Sequence, residues 1–298
     1  MDFDVIIIGG SYAGLSAALT LGRSLRKVLV IDDQKPCNAP TPHAHNFLTH
    51  DGDKPADIAK KARLEVAKYL NINFLDAKAI AAYEKNDGFI VEVENGESFS
   101  TRKVLLSGGL KDIMPDIKGF SNCWGISVLH CPYCHGYEVK NEKIGLLMNG
   151  DEAFDMAKNL YNWNKELFIL TNGKASFTKE QLIKLKEKSI QIVDGEIAEI
   201  VHQNGNLKSI TFKNGAELPL VALYARPVIE QKNNLYQQLN CEINQNGTIK
   251  VDEFYRTTIA GVYAAGDCAS LFRSLGGVTA TGTMAAVMLN KEMINEDF

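Results

Sequence analysis

Positive charge is not in excess: 32 lysines and arginines stand against 36 aspartates and glutamates, a formal net charge of -4. Such a balance does not concentrate nucleic acid or an acidic lipid surface, so no nucleic-acid partner is expected. No apolar run approaches the roughly 20 residues a membrane helix needs, so no membrane partner is expected either. A basic stretch leading into an apolar signal region is also missing. Met1-Asp2-Phe3-Asp4 runs straight into a strand, which points to the cytoplasm. Cysteine is scarce, with six in 298 residues, too few for a disulfide-stapled secreted scaffold. Cys37, Cys123, Cys241 and Cys268 are scattered, whereas Cys131 and Cys134 stand close together and need a chemical reason.

The residues that are there, 45% hydrophobic and 23% charged, have the balance of a globular protein. A chain of 298 residues exceeds what one core usually organises, so two domains are expected.

Asp4-Val5-Ile6-Ile7-Ile8 is a continuous apolar run that ends at Gly9-Gly10-Ser11-Tyr12-Ala13-Gly14, and Leu15-Ser16-Ala17-Ala18-Leu19 continues as a small-residue helix. The pattern is strand, glycine turn, helix. Glycine lets the backbone approach a pyrophosphate, whose charge then faces the amides and positive end of the helix. A second apolar run, Val28-Leu29-Val30-Ile31, ends at Asp32, about 20 residues further on, where an acid binds the ribose hydroxyls of a dinucleotide. Ser11 replaces the middle glycine of the fingerprint, so its side chain must point away from the phosphates or hydrogen-bond to them.

Near the other end, Gly261-Val262-Tyr263-Ala264-Ala265-Gly266-Asp267 reads as a short buried strand entering a glycine turn with an exposed carboxylate, and Gly282 to Met293 reads as a helix. Asp267 is placed to accept hydrogen bonds from ribityl hydroxyls. The final Asn295-Glu296-Asp297-Phe298 reads as a frayed terminus, or as an aromatic end that stacks on a bound ring or a neighbouring subunit.

Mid-chain, Lys143-Ile144-Gly145-Leu146-Leu147-Met148 reads as another strand, and Asn149-Gly150-Asp151-Glu152-Ala153 opens a helix through Tyr161. A second dinucleotide turn is expected here by position, but its chemistry is degenerate. Met148 stands at the first glycine, and Glu152 adds negative charge where a pyrophosphate would lie. After the strand Glu166 to Thr171, Asn172-Gly173-Lys174 carries neither the arginines that take a 2'-phosphate nor the acid that selects NAD. Lys179, Lys184, Lys186 and Lys188 read as the solvated face of an amphipathic helix, or as a landing place for an acidic donor.

Two residues between Cys131 and Cys134 let both sulfurs meet across one helical turn, which suits disulfide exchange. Other readings fit less well. The C-x-x-C-H pattern of haem attachment lacks the export signal that goes with it. His130, Cys131, Cys134 and His135 crowd four zinc ligands into six residues. The glutaredoxin position of Cys-Pro-Tyr-Cys follows a first strand, whereas this one lies between dinucleotide-binding patterns. Two buried structural thiols would leave the flanking histidines unexplained. His135 titrates near neutral pH and can take a thiol proton.

Gly9 to Gly14, Cys131-Pro132-Tyr133-Cys134 and Gly261 to Asp267 occur in the order found in the low-molecular-weight thioredoxin reductase superfamily, which the chain resembles over essentially its whole length. His130 to Glu138, with the loop Asn38-Ala39-Pro40 through Phe47-Leu48-Thr49-His50-Asp51-Gly52, resembles the gliotoxin-type dithiol oxidase branch and its bacterial relatives. The resemblance implies an α/β fold of two Rossmann-like, three-layer ββα nucleotide-binding domains, of the class II pyridine nucleotide-disulfide oxidoreductase type. It implies a discontinuous FAD domain, residues 1–117 and 243–298, with 118–242 inserted as an NAD(P)H-type domain carrying the redox pair.

By resemblance, Cys134 faces the flavin, Cys131 meets the substrate disulfide, and His135 stands where thioredoxin reductases carry an acid-base Asp. The implied FAD set is Gly9, Gly10, Ser11, Tyr12, Ala13, Gly14, Asp32, Asp33, Asn38, Asn46, Gly266, Asp267, Arg273 and Ser274. His43, His45 and His50 share the loop beside the flavin and do not complete a metal shell. The leading expectation is a homodimeric FAD-dependent oxidoreductase that reduces a thioredoxin-like protein or a small-molecule disulfide. NADPH, ferredoxin and another reduced flavoprotein all stay open as electron donor. Two alternatives remain, a dithiol oxidase using oxygen as acceptor and a flavin-bound redox sensor without turnover.

Overall fold

Strand β1 (Phe3–Ile8) explains its own apolar run, because its side chains alternate between two buried faces. Val5 and Ile7 join one core, with Leu15, Ala17, Ala18 and Leu21. Ile6 and Ile8 join another, with Phe89, Val91 and Val93. A strand covered on both sides has no polar positions to spare.

The computed structural model describes residues 1–298. After β1 come α1 (Tyr12–Arg23), β2 (Val28–Asp32), α2 (Pro55–Val66), β3 (Ile72–Asp76), β4 (Ala79–Lys85), β5 (Gly88–Val93) and β6 (Ser98–Leu106). β7 (Leu110–Ile113) leads to α3 (Phe120–Cys123), β8 (Val128–Leu129), α4 (Pro132–His135), β9 (Ile144–Leu147), α5 (Gly150–Leu160) and β10 (Leu167–Leu170). Then follow α6 (Lys179–Glu187), β11 (Gln191–Val193), β12 (Ile197–Gln203), β13 (Asn206–Phe212), β14 (Glu217–Pro219) and β15 (Ala222–Ala225). The chain closes with β16 (Val228–Gln231), α7 (Leu235–Gln238), β17 (Val262–Ala264) and α8 (Leu275–Asp297).

Two units divide these elements. The first holds Met1–Ala39, Asn46–Lys111 and Ile229–Phe298, and the second holds Pro40–His45 and Asp112–Val228. The crossings therefore fall earlier than the expected 117 and 242. The second moves furthest because Leu235, Leu239 and Cys241 are buried with the β1 and β6 side chains of the first unit.

In the first unit, β3, β2, β1, β6 and β17 run parallel, and β5 and β4 extend from β6 as an antiparallel meander. The meander's apolar side chains pack over one face of the parallel strands, and α1 and α8 cover the other. The second unit repeats the plan with the parallel order β11-β10-β9-β15-β8 and the antiparallel β12-β13-β14. Its α5 and α6 pack on one face, through Ala153, Ala157, Leu160 and Leu185. Each unit is thus a three-layer ββα, Rossmann-like domain, as the sequence implied. No helix is long and apolar enough to cross a membrane.

Small residues let α1 and α8 approach closely. A Cβ on Gly282 would overlap the Ala13 backbone. Helix α8 starts at Leu275, well before the expected Gly282, because the Ser274 hydroxyl accepts the Gly277 N–H and caps it. It also continues to Asp297, so the terminus is not frayed as expected. Asp297 pairs with Arg26 (2.9 Å) and Arg102 (2.7 Å), and Glu296 with Arg102 and Lys103.

Candidate active site and cofactor cradle

The turn between β1 and α1 is shaped for a phosphate group. Gly9 has φ of +108°, and a Cβ on it would overlap the Ser107 carbonyl oxygen. A Cβ on Gly14 would overlap the Gly9 carbonyl in the same way. The Ser107 hydroxyl fixes the turn from outside by donating to the carbonyls of Ile8 (3.1 Å) and Gly9 (2.7 Å). Ser11 is the N-cap of α1 in extended conformation, its side chain makes no cap hydrogen bond, and no acid stands in the first turn. These N–H groups and the positive helix end suit an anionic guest, so the residues present fit the pyrophosphate of FAD.

The other expected FAD residues lie within the first unit, and several of them hold one another. Asp32 accepts from the Gly10 N–H and from the Gln34 N–H (2.7 Å), so it anchors the turn before meeting any ribose. Asp33 pairs with Lys232 at 3.0 Å, a partner that nothing in the sequence pattern announces. Tyr12 is buried against the turn with Ala13, and its hydroxyl donates to the Pro55 carbonyl. Burial raises its pKa, and the Asn38 side chain within hydrogen-bond reach opposes that shift. Asn46 has φ of +58°, and its N–H donates to Asp51.

At the C-terminal turn, Gly266 takes φ of +79° and donates its N–H to Thr281. The Asp267 carboxylate accepts from Arg273 Nε at 3.1 Å, and both side chains are about one-eighth exposed. Arg273 therefore positions Asp267, and Ser274 caps α8 beside them.

The corresponding turn in the second unit is different. Asn149 caps α5 through its own side chain, and Asp151 and Glu152 fill the first turn. Asn149 Oδ1 accepts from the N–H groups of Gly150 and Ser176, both at 2.9 Å, and Nδ2 donates to the Lys174 carbonyl at 2.9 Å. Asp151 accepts from Gln181 Nε2 at 2.8 Å. The turn after β9 is thus stitched to the loop after β10, across the strand ends where an open α/β sheet binds nucleotide. The Gly150 amide is engaged, and two carboxylates stand where phosphate charge would come.

Cys131 and Cys134 form a disulfide, with Cα atoms 5.3 Å apart. Pro132 sets the first turn of α4, and Cys131 Sγ accepts the Cys134 N–H at 3.2 Å. Trp163 lies against Gly136 and meets Tyr133 edge-on at 5.4 Å, bracing α4 from outside. On the other side of the motif His130 stacks on Trp124 and Trp124 on Phe120, with ring centroids 5.7 and 5.9 Å apart.

His135 ends α4 and is only partly exposed. Burial holds its imidazole below the usual histidine range, Glu138 opposes this, and His45 adds to it. Neutral imidazole at neutral pH is the form that takes a proton from a thiol. The histidine loop disperses its side chains. His45 Nε2 lies 3.6 Å from Glu138 Oε1, and His50 Nδ1 lies 2.8 Å from Asp53 Oδ2. Glu138 and His45 are the site residues that sequence spacing missed. Only the segment Pro40–His45, folding with the second unit, brings them together.

Comparison with known proteins agrees with this geometry. Residues 3–288 match the pyridine nucleotide-disulphide oxidoreductase family. Thioredoxin reductase sirT of Leptosphaeria maculans is 30% identical, over 99% of this chain and 95% of its own length. Thioredoxin reductase tcpT of Claviceps purpurea is 30% identical, over 98% and 94%. Among solved structures, an oxidoreductase from Agrobacterium tumefaciens is 33% identical with a TM-score of 0.92, over 99% of each chain. With so long a match to sequences that also reproduce its fold, the chain belongs to the pyridine nucleotide-disulphide oxidoreductase family and is an FAD-dependent, thioredoxin reductase-like disulfide oxidoreductase.

Proposed function

We propose that this oxidoreductase runs in the dithiol-oxidising direction, closing a disulfide in a dithiol substrate with oxygen as the final acceptor. The observation that carries this reading is the stitched turn at Asn149, which occupies the Gly150 amide and sets Asp151 and Glu152 where the pyrophosphate of a nicotinamide dinucleotide would come. The opposite direction, reduction of a thioredoxin-like protein or small-molecule disulfide, needs an electron donor, and the second unit offers NADPH a poor seat.

In this reading one substrate thiol gives its proton to His135 and its thiolate bonds to Cys131 Sγ, while the Cys131–Cys134 bond breaks and Cys134 leaves as thiolate. The second substrate thiol gives its proton to the Cys134 thiolate, and its sulfur attacks the mixed disulfide, closing the substrate ring and releasing Cys131 as thiolate. Two protons and two electrons have then left the substrate, and the electrons rest on the cysteine pair. The glycine turn with Asp32, Asp33, Asn38, Asn46 and Asp267 would hold FAD, which would supply a two-electron acceptor for the reduced cysteine pair and would pass the electrons on to oxygen, giving peroxide. Arg273 and Ser274 keep the Asp267 turn in shape.

The protein is a cytoplasmic homodimer in this reading. Support for the dimer comes from the outer face of α8, where Met284, Val287 and Ile294 are each about half exposed.

Oxygen uptake tests the direction. In air, dithiothreitol should drive one oxygen consumed and one peroxide formed per dithiol oxidised, whereas NADPH or NADH with a disulfide acceptor should give almost no turnover. Rapid NADPH-driven disulfide reduction would overturn the proposal, and rapid turnover only with reduced ferredoxin would replace it with a ferredoxin-linked reductase.

A further inference from the structure

The pair of residues that spacing missed has its own consequence for the chemistry. Glu138 follows His135 by three residues, beyond the end of α4. His45 arrives from a segment remote in sequence, and its Nε2 sits 3.6 Å from the Glu138 carboxylate. That segment is folded into the second unit, where Pro40 and Thr41 pack against Gly125. His45 and Glu138 therefore meet just beyond the redox helix, near enough to act electrostatically on His135, and the exchange reaction uses only His135.

We propose that Glu138 and His45 are positioning residues for His135. The carboxylate is the counter-ion for the imidazolium formed when His135 takes a thiol proton, and His45 limits that support by pairing with the same carboxylate. Opposite charge nearby favours a protonated imidazole, and like charge disfavours it. Glu138 therefore makes His135 the stronger base, whereas His45 disfavours the imidazolium and engages its counter-ion. The electrostatic influences on His135 run in these two directions, with burial the largest.

Other groups also lie near this cluster. Tyr224 on β15 is almost fully buried, its hydroxyl has no protein partner, and burial with the nearby Glu138 charge keeps the phenol protonated. His43 lies against His45, with ring centroids 6.5 Å apart. Lys140, also close in sequence, sits over the Tyr137 ring instead.

The inference rests on thiol exchange at Cys131 and Cys134 with His135 as the base, and not on the direction of electron flow. Its test is the pH profile of the limiting rate at which saturating dithiothreitol bleaches the bound flavin anaerobically. An acid limb set by His135 is expected in the unaltered protein, and His135→Asn should remove it. Glu138→Gln should move that limb to lower pH, and His45→Asn should move it to higher pH. Opposite displacements cannot come from a merely structural role, which would lower the rate evenly across pH. Thermal melting confirms that each variant is folded. If neither limb moves, or both move the same way, the proposal is wrong even if dithiols still bleach the flavin. Failure of dithiols to bleach it in the unaltered protein would instead overturn the reading on which the inference rests.

Discussion

Replacing Cys134 with serine is expected to reduce dithiol-driven oxygen uptake by at least about a thousandfold, with the protein still yellow. Serine keeps the shape of the site and removes the thiolate, and loss of one member of a catalytic unit typically costs nearly as much as loss of the whole. Flavin retention follows from the division of the chain. The glycine turn and its anchors Ser107, Asp32 and Thr281 belong to the first unit, and Cys134 to the second. Cys131→Ser should show a comparable loss. The two variants separate an enzyme from a flavin-bound sensor, because a sensor has no turnover to lose and only its signal would change. Oxygen uptake normalised to flavin absorbance measures the effect, and turnover within tenfold of the unaltered protein in either variant would remove the pair from the mechanism.

The second large effect belongs to the cradle. Gly14→Val should yield colourless protein that cannot be reconstituted with FAD. Even a Cβ at this position would overlap the Gly9 carbonyl, so the turn must open just where the helix amides meet phosphate. Overpacking of this kind costs about 1–3 kcal/mol before any lost ligand binding is added. Losing a bound cofactor lowers apparent stability further by mass action. Flavin absorbance after purification and the melting temperature with and without added FAD report both parts. A variant that purifies yellow and melts like the unaltered protein would show that phosphate does not lie at this turn.

Local pattern made much of the fold legible. The buried run Val5 to Ile8, the glycines after it and the acid at Asp32 specify a strand, turn and helix within one short segment, and the structure contains all three. The lysine-rich stretch became α6, with a Thr178 and Gln181 capping box at its start. What escaped was set by tertiary contact. The return crossing is fixed by the burial of Leu235, Leu239 and Cys241 in a core that no local period reveals. The helix expected from Gly282 begins at Leu275, with Gly276 and Gly277 inside it, because Ser274 caps it there.

The same distinction holds at the site. Cys131, Cys134 and His135 are neighbours in sequence, so their chemistry can be read directly. Asp32 and Arg273 were expected to touch cofactor, and the structure gives each a prior partner in the protein, Gly10 and Asp267. The degenerate turn at Met148 to Glu152 was visible as wrong residue types. That Asn149 bridges it to Lys174 and Ser176 was not, because a side-chain bridge between two loops leaves no periodic trace.

Anaerobic titration of the flavin spectrum with a dithiol tests the central claim most directly, because it asks whether electrons pass from thiols through Cys131 and Cys134 to FAD. The account predicts stoichiometric bleaching of the oxidised flavin by dithiothreitol in the unaltered protein, none in Cys131→Ser or Cys134→Ser, and little by NADPH at the same concentration. Equal bleaching in the cysteine variants would contradict it, and so would a flavin that dithiols leave fully oxidised.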